Sequence, residues 1–421
     1  MKVITIAREY GAGGGEVARK LAEALGWEVL DRQWLHRVAE VEHVSDAELE
    51  RLDEKAITMA DRFRLHPPHQ KYLHGLAQAA RQAAERGNVV LLGRGARHLL
   101  GETPEAFHLR LVAPRPWRAE RMARLEGWSQ DQSLARCLEV DRTRDLFTRY
   151  FFGGAAMQAA QYDLVVNTGR VPLDDVVAVV SALVRLAPTE VQEEKGDSPH
   201  LPRPTSGRCP PSGCFAQMGT VPVFPDLPAA RGVLTLSREL GAGETQFAAA
   251  LAQRLNLRVY DRELLEEEAV RLGVPEAEME KIDEQAAGIF KRFRPGSIYQ
   301  RYAEALAGIM RELAERGGVI LVGRGGNCFL RDDPRALHVR LTAPMSIRLR
   351  RVMEFRWVRE RIATRLIEAS DAQRRSFYEG YFGVDWASPL EYHITVNSGR
   401  LGPVAPDLVA LAAARHWSHA E

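Results

Sequence analysis

The sequence predicts an α/β protein: two tandem three-layer domains, each a mostly parallel sheet flanked by helices, with a further helical region in each domain. Three observations predict it. The chain is written twice, short apolar runs alternate with amphipathic stretches, and the runs end in glycine-rich or polar turns. The first is the most direct. "ITIAREYGAGGGEVARKLAEALG" from Ile4 is echoed by "LTLSRELGAGETQFAAALAQRLN" from Leu234, so Arg8 matches Arg238 at an offset of 238 − 8 = 230. The same offset pairs Asp31 with Asp261, Arg94 with Arg324, "FHLRLVAP" with "LHVRLTAP", and "YDLVVNTGR" with "YHITVNSGR".

A chain of 421 residues exceeds one ordinary core. The repeat divides it into copy 1 (1–188), a linker rich in Pro, Gly and Ser (189–230), and copy 2 (231–421), whose glycine turn is more divergent.

The elements of copy 1 follow in order. Val3–Ala7 is an apolar run ending at a turn, hence a buried strand. Val17, Leu21 and Leu25, with Ala18 and Ala22 beside them, give Gly14–Leu25 a helical period, and Gly26 suits its C-cap. Trp27–Leu30 reads as a second strand ending at Asp31. Ser45-Asp46-Ala47-Glu48 is a capping box that opens a helix reaching the early sixties, and another helix covers Tyr72–Arg86. His66 and His69 around a Pro-Pro pair read as a loop. Val89–Leu92 is a strand running into "GRG", Phe107–Val112 is the next, Pro114 suits the first position of a helix, and Leu164–Val166 is the last strand. In such sheets ligands bind beyond the carboxyl ends of the strands. The glycine turn, Asp31, Arg94 and Asn167 are therefore expected to meet in one cleft per copy.

Composition excludes some classes. Basic and acidic residues number 57 and 56, for a net charge of +1, so no global field draws the chain to nucleic acid or a membrane surface. No apolar stretch is long enough to span a bilayer, and no basic n-region precedes a long apolar run, so a cytoplasmic protein without a signal peptide is expected. Cys209 and Cys214 are close in sequence but lack further ligands nearby, and they read as loop thiols rather than a zinc site. No metal-ligand motif is seen.

The strand–turn–helix at the N-terminus aims backbone N–H groups and the positive end of a helix at one point, and four glycines between Gly11 and Gly15 let a ligand approach the backbone. Two ligand classes compete. The phosphate loop GxxxxGK[ST] would put Gly14 where lysine belongs. The dinucleotide fingerprint GxGxxG fits Gly11, Gly13 and the later Asp31, but Glu16 stands at its third glycine.

Taken as an ordered set, "ITIAREYGAGGGEVARKLAEALG", "DRQWL", "VVLLGRG", "HLRLVAP" and "YDLVVNT" resemble the cytidylate kinase-like family, a branch of the P-loop nucleoside monophosphate kinases, over nearly all of both copies. The resemblance implies two P-loop kinase-like domains packed as an intramolecular pseudo-dimer. It also implies transfer of the ATP γ-phosphate to CMP or dCMP with Mg²⁺, small nucleotides being the only partners. Family members usually write the loop REYG-S-GG-R-E, without the lysine but with a basic residue where Gly15 stands here. In copy 2 Glu244 takes the place of Gly14.

Phosphoryl transfer to a phosphate oxygen needs no strong base, only positioning and charge stabilisation, which arginine's planar fork supplies. The expected catalytic arginines are Arg8 at the loop, Arg94 at the acceptor phosphate, and Arg142, Arg144 and Arg149 in a lid. Gly11, Ala12, Gly13, Gly14, Gly15 and Glu16 form the expected nucleotide cradle. Arg118 and Arg121, at i,i+3, read either as nucleotide ligands or as a solvated helix face. Asp31 suits the acceptor ribose or base, water around Mg²⁺, or the cap of the next helix, and Asn167 either the adenine or a helix cap. Tyr150, Phe151 and Phe152 suit the core better than a base-stacking role, and the pair Asp53–Glu54, repeated at Asp283–Glu284, suits a helix surface. In copy 2 the corresponding residues are Arg238, Gly241, Ala242, Gly243, Thr245, Asp261 and Arg324. The leading expectation is a kinase working through copy 1 with copy 2 degenerate, and the alternative is a nucleotide-binding sensor without turnover.

Overall fold

The computed structural model describes residues 1–31, 68–93, 95–103, 105–186, 232–261 and 298–419. Arg94, His66, the expected helix from Ser45, the Asp53–Glu54 and Asp283–Glu284 pairs, and the linker with Cys209 and Cys214 lie outside the described residues.

Copy 1 begins with β1 (Val3–Arg8), whose first four residues are buried. After the glycine turn comes α1 (Gly14–Leu25), which puts Val17, Ala18, Leu21 and Ala22 into the core and ends at Gly26 in a left-handed conformation, φ 68°. Then come β2 (Glu28–Leu30), α2 (Pro68–Arg86), the fully buried β3 (Val89–Leu92), α3 (Ala96–Leu100) and β4 (Ala106–Val112). The remaining elements are α4 (Arg115–Glu126), α5 (Gln130–Phe152), β5 (Leu164–Asn167) and α6 (Leu173–Leu186). Two expectations shift. Helix α2 starts at Pro68, four residues before Tyr72, and so takes in His69. Pro114 sits one position outside α4 as its N-cap rather than as its first residue.

Copy 2 repeats the order as β6 (Val233–Arg238), α7 (Glu244–Leu255), β7 (Arg258–Tyr260), α8 (Ile298–Arg316), β8 (Val319–Val322), α9 (Gly326–Phe329) and β9 (Ala336–Thr342). It closes with α10 (Met345–Arg356), α11 (Glu360–Phe382), β10 (Ile394–Asn397), α12 (Ser398–Leu401) and α13 (Ala405–Ser418). Among the described residues no helix is long and apolar enough to cross a membrane.

The strands form one ten-stranded sheet in the order β2-β3-β1-β4-β5-β10-β9-β6-β8-β7. Within each copy every pairing is parallel, and the first strand lies between the third and fourth. At the centre β5 and β10 pair antiparallel, with Val166 opposite Ile394 and Leu164 opposite Val396. All four residues of each strand are buried. An apolar edge of this kind invites a partner, and the other copy supplies it. Helices α6 and α13 pack against each other over this seam, and one apolar core runs through both copies, including Leu109, Val180, Leu183, Leu408 and Val409. Each such side chain, fully buried, contributes about 1.5–3 kcal/mol.

The seam changes the reading of Asn167. Its Nδ2 donates to the Leu390 carbonyl across the seam at 3.0 Å, its Oδ1 accepts from the Gly169 N–H at 3.1 Å, and its backbone N–H bonds the His393 carbonyl. Asn397 does the same in reverse, donating from Nδ2 to the Ala160 carbonyl at 2.8 Å. Both are essentially without solvent exposure. Asn167 therefore joins the two halves and shapes the turn after β5; its amide is committed to that work rather than offered to adenine. The alternative of a cap survives only in copy 2, where Asn397 caps the short α12.

Candidate functional site

The glycine turn owes its shape to neighbours that leave no room for side chains. Gly11 and Gly13 take φ of 80° and 85°, the left-handed region that favours glycine. A Cβ on Gly13 would lie 2.7 Å from Leu173 Cδ1. Gly14 opens α1, and a Cβ there would lie 2.6 Å from Arg8 Cγ. The Arg8 side chain thus runs over Gly14, and its Nη1 reaches so close to Gly93 that a side chain at 93 would collide with it. Arg8 bridges the glycine turn and the end of β3, the two places where phosphates are expected. Gly15 differs: it is exposed, and a Cβ there meets nothing within 4 Å.

Other residues hold this turn from outside. The Thr168 hydroxyl donates to the Ala12 carbonyl at 3.0 Å. Arg118 is buried, which corrects both readings made for it. Its Nε donates to the Ala113 carbonyl at 2.9 Å, and its Nη1 donates to the Tyr10 carbonyl at 2.8 Å and to Asp141 at 2.6 Å. Asp141 also accepts the Tyr10 N–H at 2.8 Å. Arg118 and Asp141 therefore clamp the entrance of the turn through bonds made within the protein. Copy 2 repeats the clamp, with Arg348 on Asp371 at 2.5 Å and on the Leu240 carbonyl at 2.8 Å. Sequence reasoning missed Asp141, although its recurrence at the common offset as Asp371 was a visible signal.

Arg121 and Glu16, both expected to touch nucleotide, bind each other at 2.7 Å, with Lys20 on the other carboxylate oxygen at 2.8 Å. The hydrogen bond from Lys20, helped by the charge of Arg121, holds the Glu16 carboxyl below its ordinary range. Asp31 is exposed at the carboxyl end of β2.

The three lid arginines separate. All lie on the single helix α5, where positions 142 and 149 share a face and 144 is turned about 200° away. Arg144 faces the turn: its Nη1 donates to the Arg8 carbonyl at 3.2 Å and its guanidinium lies 5.8 Å from the Tyr10 ring centroid. Arg142 and Arg149 are exposed, the latter paired with Asp145 at 2.9 Å. At the common offset Arg144 returns as Arg374, whereas Arg142 and Arg149 become Ala372 and Glu379. Phe151 and Phe152 pack on the core through Phe147, and the Phe152 ring covers Gly95.

Copy 2 keeps the frame and alters the lining. Gly241 and Gly243 take φ of 83° and 82°, Ala242 is buried, and Arg238 crosses to Gly323 as Arg8 crosses to Gly93. Glu244 opens α7 in place of Gly14, with exposed Thr245 after it. Arg351, the counterpart of Arg121, donates to the Ser398 hydroxyl at 3.2 Å. Arg324 has φ of 55°, a strained backbone for a side-chain-bearing residue, and Asp261 is exposed like Asp31.

A family model described as the cytidylate kinase-like family matches residues 3–170 and again 233–400. A cytidylate kinase of Natronomonas pharaonis is 30% identical over 201 residues, spanning 47% of this chain and 95% of its own length. A cytidylate kinase of Methanopyrus kandleri is 26% identical over 192 residues, 43% of this chain and 92% of its own. Among solved structures, a shikimate kinase of Bacteroides thetaiotaomicron overlays 44% of this chain and 99% of its own at 14% identity and a TM-score of 0.29. The chain is two P-loop kinase-like α/β domains in tandem.

Proposed function

Because the chain belongs to the cytidylate kinase-like family, we propose that it is a nucleotide kinase whose copy 1 transfers the γ-phosphate of ATP to CMP or dCMP. The observation that carries this reading is Arg8, laid across Gly14 onto Gly93. It brings a fixed cation to the junction of cradle and acceptor strand, the place a P-loop lysine would otherwise serve. The residues fit a polyphosphate: between Gly11 and Gly15 the turn carries no side chain but the buried methyl of Ala12, and α1 adds the positive end of its dipole. Bound MgATP would supply the phosphoryl group, and Asp31 is the exposed carboxylate at a strand end suited to the hydration shell of Mg²⁺. Arg8 and Arg144 would neutralise charge on the transferring phosphoryl group, with Arg94 from the GRG turn at the acceptor. Arg118, Asp141 and Thr168 would fix the cradle so that its dipoles are set before the reaction. Domain limits of 1–188 and 231–421 belong to this proposal.

A sensor without turnover is the second reading, favoured by the empty space at Gly15 where relatives place a cation. ADP release from ATP with CMP, dCMP, UMP and AMP in turn, on the whole chain and on Arg8→Ala, separates the two. Turnover with CMP or dCMP that Arg8→Ala abolishes is expected. ATP binding with no turnover on any acceptor replaces the kinase with the sensor.

A further inference from the structure

The α4–α5 and α10–α11 hairpins repeat one structure in the two copies and carry opposite charge at their tips. Copy 1 turns through Leu125-Glu126-Gly127-Trp128 and places Asp131 in the first turn of α5. At the common offset copy 2 turns through Phe355-Arg356-Trp357-Val358, with Arg359 and Arg361 after it. Residues 125–132 contain two acids and no base, a charge of −2; residues 355–362 contain three arginines and one acid, a charge of +2. Glu126, Asp131, Arg356, Arg359 and Arg361 are all exposed, and none of them forms an ion pair among the described residues. The charges nearest the copy 1 tip are by contrast already paired, Arg124 with Glu120 and Arg136 with Glu139.

Trp357 marks the copy 2 tip as more than a turn. Its φ is 54°, in the left-handed region, where copy 1 uses Gly127 at 70°. A bulky side chain there strains the backbone. Burial does not offset the strain, because Trp357 is 84% exposed, as is Phe355 beside it. Val358, not Trp357, seats the turn on Val352, Ala363 and Ile367. Two exposed aromatic rings amid unpaired arginines have the composition of the centre of a protein–protein interface. The copy 1 tip offers the match: Leu125 is 61% and Trp128 38% exposed, with the unpaired carboxylates of Glu126 and Asp131 around them. The two tips do not cover each other within one molecule, since these side chains all stand in solvent.

We propose that the α10–α11 tip of one molecule docks on the α4–α5 tip of a second, so that the chain self-associates head to tail. Phe355 and Trp357 would pack on Leu125 and Trp128, while Arg356, Arg359 and Arg361 face Glu126 and Asp131. The contact joins two different surfaces, so each assembly keeps one unused tip of either kind and grows by addition unless it closes into a ring. Both tips are small, which places the association among weak, transient contacts. The association is independent of the kinase reading, because neither tip includes a residue of the glycine turn or its clamp.

Sedimentation velocity of the whole chain without nucleotide tests it, from about 1 to 200 µM. The weight-average mass should rise with concentration at about 0.05 M salt and fall back at about 0.5 M. Trp357→Gly writes copy 1's residue into copy 2 and relieves the backbone, so it should fold as well as the wild type and weaken association about tenfold or more. Arg359→Glu with Arg361→Glu leaves two acidic tips, and Glu126→Arg with Asp131→Arg leaves two basic ones. Each double variant should be monomeric, and an equimolar mixture of the two should associate again. A wild type monomeric throughout the range overturns the proposal, as does association that survives both charge reversals or fails to return on mixing. Binding of oligothymidylate or phosphatidylserine vesicles by a monomeric wild type, lost in Trp357→Gly, would give the tip another occupant and overturn it equally.

Discussion

Copy 1 and copy 2 agree in the residues that hold the glycine turn and disagree in those that line it. The clamp of Arg118 on Asp141 returns as Arg348 on Asp371, and Thr168, bonded to the Ala12 carbonyl, returns as Ser398 on Ala242. Arg8 and Arg144 return as Arg238 and Arg374. By contrast Gly14-Gly15-Glu16 becomes Glu244-Thr245-Gln246. The backbone of the turn is thus set by partners outside it, and its lining is free to change without losing the shape. Fusion also frees the seam to differ on its two sides: the position that carries Asp163 in copy 1 carries His393 in copy 2, and each accepts the backbone N–H of a histidine on the neighbouring strand of its own copy, His108 or His338.

The sharpest way to break this comparison is to write copy 2's residue into copy 1. Gly14→Glu sets a carboxylate in the cradle beside Arg8, as Glu244 stands beside Arg238, so ADP release with CMP should fall about 10²–10³-fold, the cost of losing one preorganised phosphate-stabilising group. An unchanged rate would mean that Arg8 and the cradle take no part. Next, Arg144→Ala should lower kcat by about 10²-fold while Arg142→Ala, on the opposite face of α5, stays within about threefold, by the same comparison of a facing with a non-facing charge. Equal losses would show the lid acting as a unit.

At the seam, Asn167→Ala and Asn397→Ala each leave buried carbonyl and N–H groups without partners, at about 1–3 kcal/mol. Thermal unfolding of both variants should show similar drops, and a large inequality would show the halves to be unequally joined. Gly15→Arg enters open space and supplies the cation that the family resemblance leads one to expect there. Kinase activity should rise about tenfold, equivalent to one charge-assisted hydrogen bond of roughly 1.4 kcal/mol. No gain would mean that Arg144 already fills that role.

The smallest effect concerns acid. Burial, with the neighbouring histidines His338 and His416 and Arg170 adding to it, pushes His393 down to about 2; burial with Arg170 pushes His338 to about 3, both from an ordinary 6.5. A depressed folded-state value means that these groups contribute fully above pH 6.5 and lose that contribution as pH falls toward 2–3. Asp163 runs the other way, because burial raises it, with Arg400 opposing. His393→Asn keeps an acceptor for the His338 N–H but removes a proton site, so its urea midpoint should fall less between pH 7.5 and 5 than that of the wild type. Parallel falls would clear His393 of the acid sensitivity.

Much of the fold was legible because a buried strand advertises itself. Val89–Leu92 was read to the residue, and β1, β2, β4 and β5 to within one, since each is an apolar run ended by a turn. The site was less legible. Arg118 and Arg121 share a helix face in sequence, yet one faces inward and the other meets Glu16, a difference set by α5 packing beside α4. Asn167 ends its strand as a ligand residue would, but its partner Leu390 is 223 positions away, and local pattern carries nothing about such a pairing. Proximity along the chain groups Arg142, Arg144 and Arg149, whereas the helical period of α5 separates them.

The antiparallel pairing of β5 with β10 points the strand ends of the two copies toward opposite edges of the sheet. The two clefts therefore open back to back. Among the described residues the halves are joined by the Asn167 and Asn397 bonds, by Arg400 on Asp163 and by α6 against α13.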